Sequence, residues 1–105
     1  MGDTGERCMN IEISPKEYER RLNWNDAMMY CQLLIIDDKT DWRLPTKAEL
    51  QDIYHSENDF VGSYYWSSTE YNGLYAWGQN LSYGGQGNLT KSFSYYVRAV
   101  RSSPI

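Results

Sequence analysis

The spacing of apolar residues changes from helical to strand-like along the chain. In the first half, apolar side chains recur three or four residues apart, and this predicts a helix over residues 24–35 and a second over 47–55. From Gly62 onward apolar and polar residues tend to alternate, as expected for strands that bury one side. The alternation predicts strands at residues 64–69, 76–82, 87–93 and 95–101.

Local signals define the starts of both helices. Asn23 has the side chain of an N-cap, and Asp26 follows three residues later as a partner for the first backbone amides. Thr46 and Glu49 have the spacing of a capping box, and Pro45 disfavours continuation of any earlier helix. These signals place the helix starts more firmly than the helix ends.

The N-terminal part is less clearly patterned. Residues 8–14 alternate like a strand, whereas residues 16–22 are charged and are interpreted as a loop or a turn of helix. Two helices followed by an antiparallel meander predict an α+β fold. A chain of 105 residues suits a single domain, residues 1–105.

Three motifs between residues 41 and 101 resemble one known family. They are DWRLPT at residues 41–46, YWSSTE at 65–70 and YYVRAVR at 95–101. In this order they resemble the small domain family named after the C-terminal domain of the Lcl adhesin, over roughly residues 22–101. The resemblance implies a C-type-lectin-like fold, with two helices, a twisted antiparallel sheet and the last strand near the N-terminal one.

The two cysteines depart from that family pattern. Similar domains often carry one Cys in the first helix and another in the last strand, where this chain has Ala99. Cys31 is expected on the buried side of the first helix as a free thiol. A bridge between Cys8 and Cys31 remains an open alternative.

Charge is unevenly distributed and limits the partners. All fourteen acidic residues lie at or before Glu70, so residues 1–70 carry seven basic against fourteen acidic side chains, and residues 71–105 carry three basic ones. Three basic residues are too sparse a positive charge for nucleic-acid binding.

No apolar run approaches the ~20 residues of a membrane span. Without a signal-peptide pattern, the expectation is a soluble chain made in the cytoplasm, with no membrane insertion.

No residue pattern predicts catalysis, a metal or a cofactor. The sequence WND at residues 24–26 is the calcium and sugar tripeptide of C-type lectins, but here it opens a helix and is interpreted as a cap. Asp37, Asp38 and Asp41 are interpreted as a solvated loop. His55 is the only histidine and lies at the predicted end of the second helix.

Large aromatic and arginine side chains within or beside the motifs are predicted to be structural. Trp42, Trp66 and Trp77 are expected in the core, since large aromatic side chains dominate core burial. Arg43 and Arg98 are expected to tie loops together through carbonyls or carboxylates.

The candidate binding residues combine aromatic contact area with adaptable hydrogen bonding. They lie in turns and at positions predicted to face outward in the last strands, and they are Tyr71, Asn72, Tyr75, Gln79, Asn80, Tyr83, Gln86 and Asn88. The alternative is ordinary hairpin turn chemistry.

The favoured function is a non-enzymatic binding or display module that contacts a protein or glycan surface. Its expected setting is virion-associated, in a phage tail or capsid decoration, or adhesin-like, and other virion subunits are candidate partners. The first alternative is a purely structural subunit that assembles with copies of itself. The second is a small enzyme of the formylglycine-generating group, which shares the lectin-like fold.

Overall fold

The computed structural model describes residues 11–56 and 60–102. This part of the chain contains two α-helices, a short 3-10 turn at Lys16–Tyr18 and seven strands. The helices are α1 (Trp24–Leu33) and α2 (Lys47–Ser56). The strands are β1 (Ile11–Ile13), β2 (Arg20–Leu22), β3 (Tyr64–Glu70), β4 (Tyr75–Asn80), β5 (Gln86–Thr90), β6 (Tyr95–Val97) and β7 (Val100–Ser102). The fold is α+β, as the sequence predicts.

Five strands form the main sheet in the order β2-β6-β3-β4-β5. The predicted antiparallel meander is correct for β3, β4 and β5. It is wrong for β6, which lies on the far side of β3 and runs parallel to it through the Tyr65–Tyr96 pair. One reason is packing, because Tyr95 contacts Trp66 edge-on at 5.1 Å and joins the core on the α1 side of the sheet.

The two ends of the described chain meet in a second, two-stranded sheet. β1 pairs antiparallel with β7, with Ile13 opposite Val100. The expected approach of the last strand to the N-terminal one is therefore confirmed. Residues 8–10 of the predicted first strand lie outside the described residues.

Sequence patterning missed β2 and the division of the final strand. The charged Arg20 and Arg21 suggested a loop or a helical turn, yet they pair with β6 at the edge of the main sheet, where long charged side chains can extend into solvent. The predicted strand over residues 95–101 is interrupted at Arg98 and Ala99, both buried. Its two halves join different sheets.

α1 begins where the sequence predicts and ends two residues earlier. The Asn23 Oδ1 atom accepts the Asp26 N–H at 2.9 Å, which confirms the N-cap. Leu34 already has an extended backbone. The chain then turns between Ile36 and Lys39 with both aspartates, Asp37 and Asp38, at positive φ.

A reciprocal capping box fixes the start of α2. Glu49 N–H donates to Thr46 Oγ1 at 3.1 Å, and Thr46 N–H donates to Glu49 Oε1 at 2.9 Å. Arg43 donates two hydrogen bonds to the same carboxylate at 2.7 and 2.9 Å, which confirms its structural role. The hydrogen bonds from Arg43 are the main reason that the pKa of Glu49 lies below its ordinary value.

Replacing Thr46 with Ala is expected to lower the free energy of unfolding by about 1 kcal/mol, because the first turn of α2 loses its cap. Urea unfolding monitored by circular dichroism measures the change. Thr40→Ala is the matched control, since Thr40 is exposed in the loop before the motif. Equal stability of the two variants would contradict a stabilising role for the capping box.

Two apolar clusters fill the space on opposite sides of the main sheet. The cluster on the α1 side contains Trp42 and Trp66, and both predictions of core placement are confirmed. The cluster on the α2 side is built around Leu50, Ile53 and Tyr65. Trp77 belongs to neither cluster, so its predicted core placement is wrong.

Cys31 is fully buried in the α1-side cluster, as predicted, and Ala99 belongs to the same cluster. Burial raises the pKa of its thiol to about 12. Cys8 lies outside the described residues, so its pairing is not tested.

Native protein is expected to react slowly with a thiol reagent at Cys31 and to react rapidly once unfolded, because the thiol is both buried and protonated. Peptide mapping after brief labelling measures this. Rapid native labelling at Cys31 would contradict its burial.

Candidate functional site

One part of the main sheet is left uncovered on the side where α2 packs. Side chains alternate along β4 and β5, so Trp77 faces the same side as Asn88, its partner in the register. α2 covers only the end of this surface near Gln79, whose Nε2 donates to Gln51 Oε1 at 2.7 Å. The opposite end remains open to solvent. We call Tyr71, Tyr75, Trp77, Gln86 and Asn88 the aromatic face.

Trp77 is the half-buried centre of the aromatic face. The Lys47 Nζ atom lies 3.6 Å from the centroid of its ring, a cation–π contact. Tyr71 meets the ring edge-on at 5.8 Å. Lys47 is itself positioned at the start of α2, where its N–H donates to Thr69 Oγ1 at 2.9 Å. The indole is therefore held in place while part of it stays accessible.

The turn between β3 and β4 positions the two tyrosines. Asn72 Oδ1 accepts the N–H groups of Leu74 and Tyr75 at 2.8 and 2.9 Å. Tyr71 is 54% exposed and Tyr75 36% exposed. Asn72 therefore has a structural task in this turn, and the tyrosines flanking the turn remain available for contact.

Two predicted binding residues are buried, so their predicted outward positions are wrong. Gln79 is fully buried and also donates to the Gly84 carbonyl at 3.0 Å. Asn80 is buried, and its Oδ1 accepts the Ser82 N–H at 2.8 Å. Both amides form hydrogen bonds with backbone groups of the loop after β4, and Gln79 also bonds to the side chain of Gln51 on α2. Residue type alone does not reveal these partners.

Tyr83 is exposed but lies apart from the aromatic face. Its hydroxyl is 2.9 Å from that of Tyr64, whose ring packs against the α1-side core. Tyr75 is the first residue of β4, whereas Tyr83 comes after its last residue. The six-residue strand between them is about 17 Å long. The cluster of tyrosines expected from the sequence is thus divided between two places.

The remaining two predicted residues complete the aromatic face. Gln86 and Asn88 are both exposed on β5. The Gln86 Nε2 donates to the Lys47 carbonyl at 3.1 Å and to Gln79 Oε1 at 3.2 Å, which ties the face to α2. The structure therefore brings together Tyr71, Tyr75, Gln86 and Asn88, around a Trp77 that the sequence assigned to the core.

The chemistry of the aromatic face suits binding. It offers aromatic rings and amides with one neighbouring ammonium, and its five side chains include no carboxylate, thiol or imidazole. His55 lies exposed in the last turn of α2, beside Gln51 at 3.1 Å. Within residues 11–56 and 60–102, no group of three or more His, Cys, Asp and Glu residues could hold a metal ion.

The acidic loop and the WND tripeptide have structural roles. Asp41 accepts hydrogen bonds from Arg101 at 2.6 and 3.3 Å, and hydrogen bonding to Arg101 is the main reason that the pKa of Asp41 lies below its ordinary value. Trp24 is buried and donates its Nε1–H to the Ser67 carbonyl at 2.9 Å.

Among the described helices, none is long and apolar enough to cross a membrane.

Comparison with known proteins gives one result that identifies the family. A search of curated proteins returned no match. A family model described as the Lcl C-terminal domain matches residues 5–101, which is nearly the whole chain. The matched region includes the buried Trp42 and Trp66 and the half-buried Trp77. The chain therefore belongs to the Lcl C-terminal domain family.

Proposed function

We propose that this domain is a non-enzymatic binding or display module that contacts a protein or glycan surface through its aromatic face. A C-type-lectin-like fold is part of the proposal, and the pairing of β1 with β7 supports it, since that fold brings the chain ends together. The proposed setting is a virion, as a tail or capsid-decoration component, or an adhesin-like protein.

The observation that carries the proposal is the placement of Trp77 and its neighbours. Both sheet sides have a filled core without them, yet Lys47 and Tyr71 hold the half-buried indole at the surface. Rigid aromatic side chains lose little conformational entropy on binding, and flanking amides add hydrogen bonds. Tyr and Trp also dominate binding energy at protein interfaces. The aromatic face has both kinds of group.

Burial of Cys31 favours binding over the enzyme alternative. Formylglycine-generating enzymes, to which the fold gives a distant analogy, depend on reactive cysteines. Here burial raises the pKa of the Cys31 thiol to about 12, so almost none of it is ionised at neutral pH. A protonated thiol inside the core is a poor nucleophile.

The proposal is tested with an array of bacterial polysaccharides, mammalian glycans and immobilised whole bacteria, probed with labelled protein. The double variant Tyr71→Ser/Tyr75→Ser is expected to bind at least about tenfold more weakly than the parent, because it loses two aromatic anchors. Its fold is expected to persist, since both side chains are exposed.

Met29→Ser/Leu33→Ser is the matched control, because it also removes two exposed apolar side chains but from α1. This control is expected to bind like the parent. Loss of binding in the control but not in the tyrosine variant would move the binding surface to α1. Concentration-dependent assembly of the parent with no binding to any array element would favour the purely structural alternative.

A further inference from the structure

β5 forms one edge of the main sheet, and its register shows which backbone groups face outward. Lys91 N–H donates to the Leu74 carbonyl, and Asn80 N–H donates to the Gly85 carbonyl. Hydrogen-bonded pairs in an antiparallel ladder occur at every second residue. Residues 85, 87, 89 and 91 therefore face β4, and the backbone N–H and C=O groups of Gln86, Asn88 and Thr90 face away from the sheet. No described strand pairs with that edge.

The two edges of the sheet differ in how they are protected. At the opposite edge, β2 is three residues long and carries the exposed Arg20 and Arg21. Short strands and charged side chains are the usual means of preventing edge-to-edge pairing. β5 is five residues long and has the sequence QGNLT, with no charge and no proline. The β5 edge therefore lacks these protections against strand addition, whereas the β2 edge has both of them.

The outward-facing groups of β5 are complementary to those of a second β5. When two copies run antiparallel about a two-fold axis at Asn88, Gln86 of one copy meets Thr90 of the other, and Asn88 meets Asn88. Every outward-facing residue then meets another outward-facing residue, as an isologous contact requires. The paired side chains are all uncharged and able to form hydrogen bonds.

Space and charge also permit this arrangement. Gly87 comes opposite Leu89 of the other copy, and a Cβ atom added at Gly87 would meet nothing within 4 Å. The acidic side chains all lie at or before Glu70, outside the paired strands, so no carboxylate of β5 opposes another across the axis. One backbone acceptor is partly used, since the Thr90 carbonyl accepts the Phe93 N–H at 3.0 Å. The two Asn88 residues therefore make the central contact at the axis, and each flanking Gln86–Thr90 pair keeps the bond from the Thr90 N–H to the Gln86 carbonyl.

We propose that the β5 edge pairs with the β5 edge of a second copy, which joins the two main sheets into one continuous sheet of ten strands. The contact is small, because five residues a side bury less than the roughly 1,200 Å² of a standard interface. A weak dimer follows, half assembled at a concentration on the order of 0.1 mM.

The dimer has a consequence for the aromatic face. A two-fold axis perpendicular to the sheet keeps both copies of the face on the same side, next to each other across Asn88. Two adjacent faces would strengthen attachment to a repetitive surface through effective concentration. This consequence rests on the proposed function, whereas the dimer itself does not.

Sedimentation equilibrium of the parent from about 10 μM to about 1 mM tests the proposal. Asn88→Pro and Asn88→Lys are each expected to raise the dimer dissociation constant at least about tenfold, the first by removing an outward N–H and the second by placing two ammonium groups at the axis. Asn88→Thr keeps the N–H and suits a strand, so it is the matched control and should dimerise like the parent.

An independent cross-linking test uses a Cys8→Ser background. Asn88→Cys is expected to form a dimer on oxidation, because hydrogen-bonded antiparallel partners have Cα atoms about 5.5 Å apart, within disulfide range. Arg21→Cys, on the opposite edge strand β2, is expected to form no disulfide-linked dimer under the same conditions. A parent that stays monomeric at about 1 mM overturns the proposal. So does a folded Asn88→Lys variant that still dimerises like the parent. If Asn88→Pro does not fold, the lysine and cysteine variants decide.

Discussion

Replacing Trp66 with Ala is expected to lower the free energy of unfolding by about 3–5 kcal/mol, because it leaves a large void in the core. Trp66 lies in β3 and has no exposed surface, because its side chain packs into the apolar cluster between the sheet and α1. Its Nε1–H also donates to the Leu22 carbonyl at 2.8 Å, which attaches the edge strand β2 to the core. Chemical unfolding followed by far-ultraviolet circular dichroism measures the loss.

Trp77→Ala is the matched control, since Trp77 lies on the neighbouring strand but on the other side of the sheet. It is expected to cost only about 1 kcal/mol, through the lost contact with Lys47 and partial burial. Equal losses for the two tryptophans would contradict the assignment of Trp66 to the core and Trp77 to the surface.

Arg98→Ala is expected to destabilise the fold by about 3–5 kcal/mol, because it leaves a nearly buried carboxylate without its cationic partner. The Arg98 Nε donates to the Ser14 carbonyl at 2.8 Å, and its Nη1 donates to Glu19 Oε1 at 3.3 Å. The Glu19 carboxylate also accepts a hydrogen bond from the Tyr65 hydroxyl at 2.7 Å. Burial, followed by this hydrogen bond, raises the pKa of Tyr65. Thermal unfolding measures the effect.

Arg21→Ala is the control for this prediction. Arg21 is exposed, and its guanidinium donates to the Ser94 carbonyl at 3.2 Å at the surface. A change at such a position is expected to remain within about 0.5 kcal/mol. If Arg98→Ala unfolds at the same temperature as Arg21→Ala, the Arg98–Glu19 pair has no stabilising role.

The helices and their starts could be predicted because their signals are local. Asn23 and the Thr46–Glu49 pair act on amides within three residues of themselves, so sequence spacing determines the hydrogen bonds. Burial of Cys31 followed from its helical spacing in the same way. The end of α1 was less predictable, because Leu34, where the backbone becomes extended, continues the apolar pattern of the helix and carries no stop signal.

The position of β6 in the sheet could not be predicted from the alternation of its apolar and polar residues. A strand pattern shows which side chains share a side of the sheet but not which strand becomes the neighbour. β6 inserts beside β3 because its aromatic residues fill the core there, a contact between residues about thirty apart in sequence. β2 was missed for a related reason, since Arg20 and Arg21 give no apolar alternation at a sheet edge.

Strand alternation could have corrected the candidate site. Ala76 and Gly78 flank Trp77, and two small residues on one side of a strand indicate close packing there, which places the indole on the other side. The same alternation gives no warning for Gln79, because that residue shares the side of Trp77 and is buried only by the position of α2. Tertiary packing therefore decided which amides remain exposed.

Acrylamide quenching of tryptophan fluorescence tests the central claim, that the aromatic face is the binding surface, most directly. Trp24, Trp42 and Trp66 are at most 8% exposed, so the half-buried Trp77 should account for most of the quenching. A Trp77→Phe variant supplies the baseline. The strongest-binding glycan or surface preparation from the array is expected to reduce quenching of the parent to that baseline. Saturating binding that leaves the parent as readily quenched as the free protein would contradict the claim.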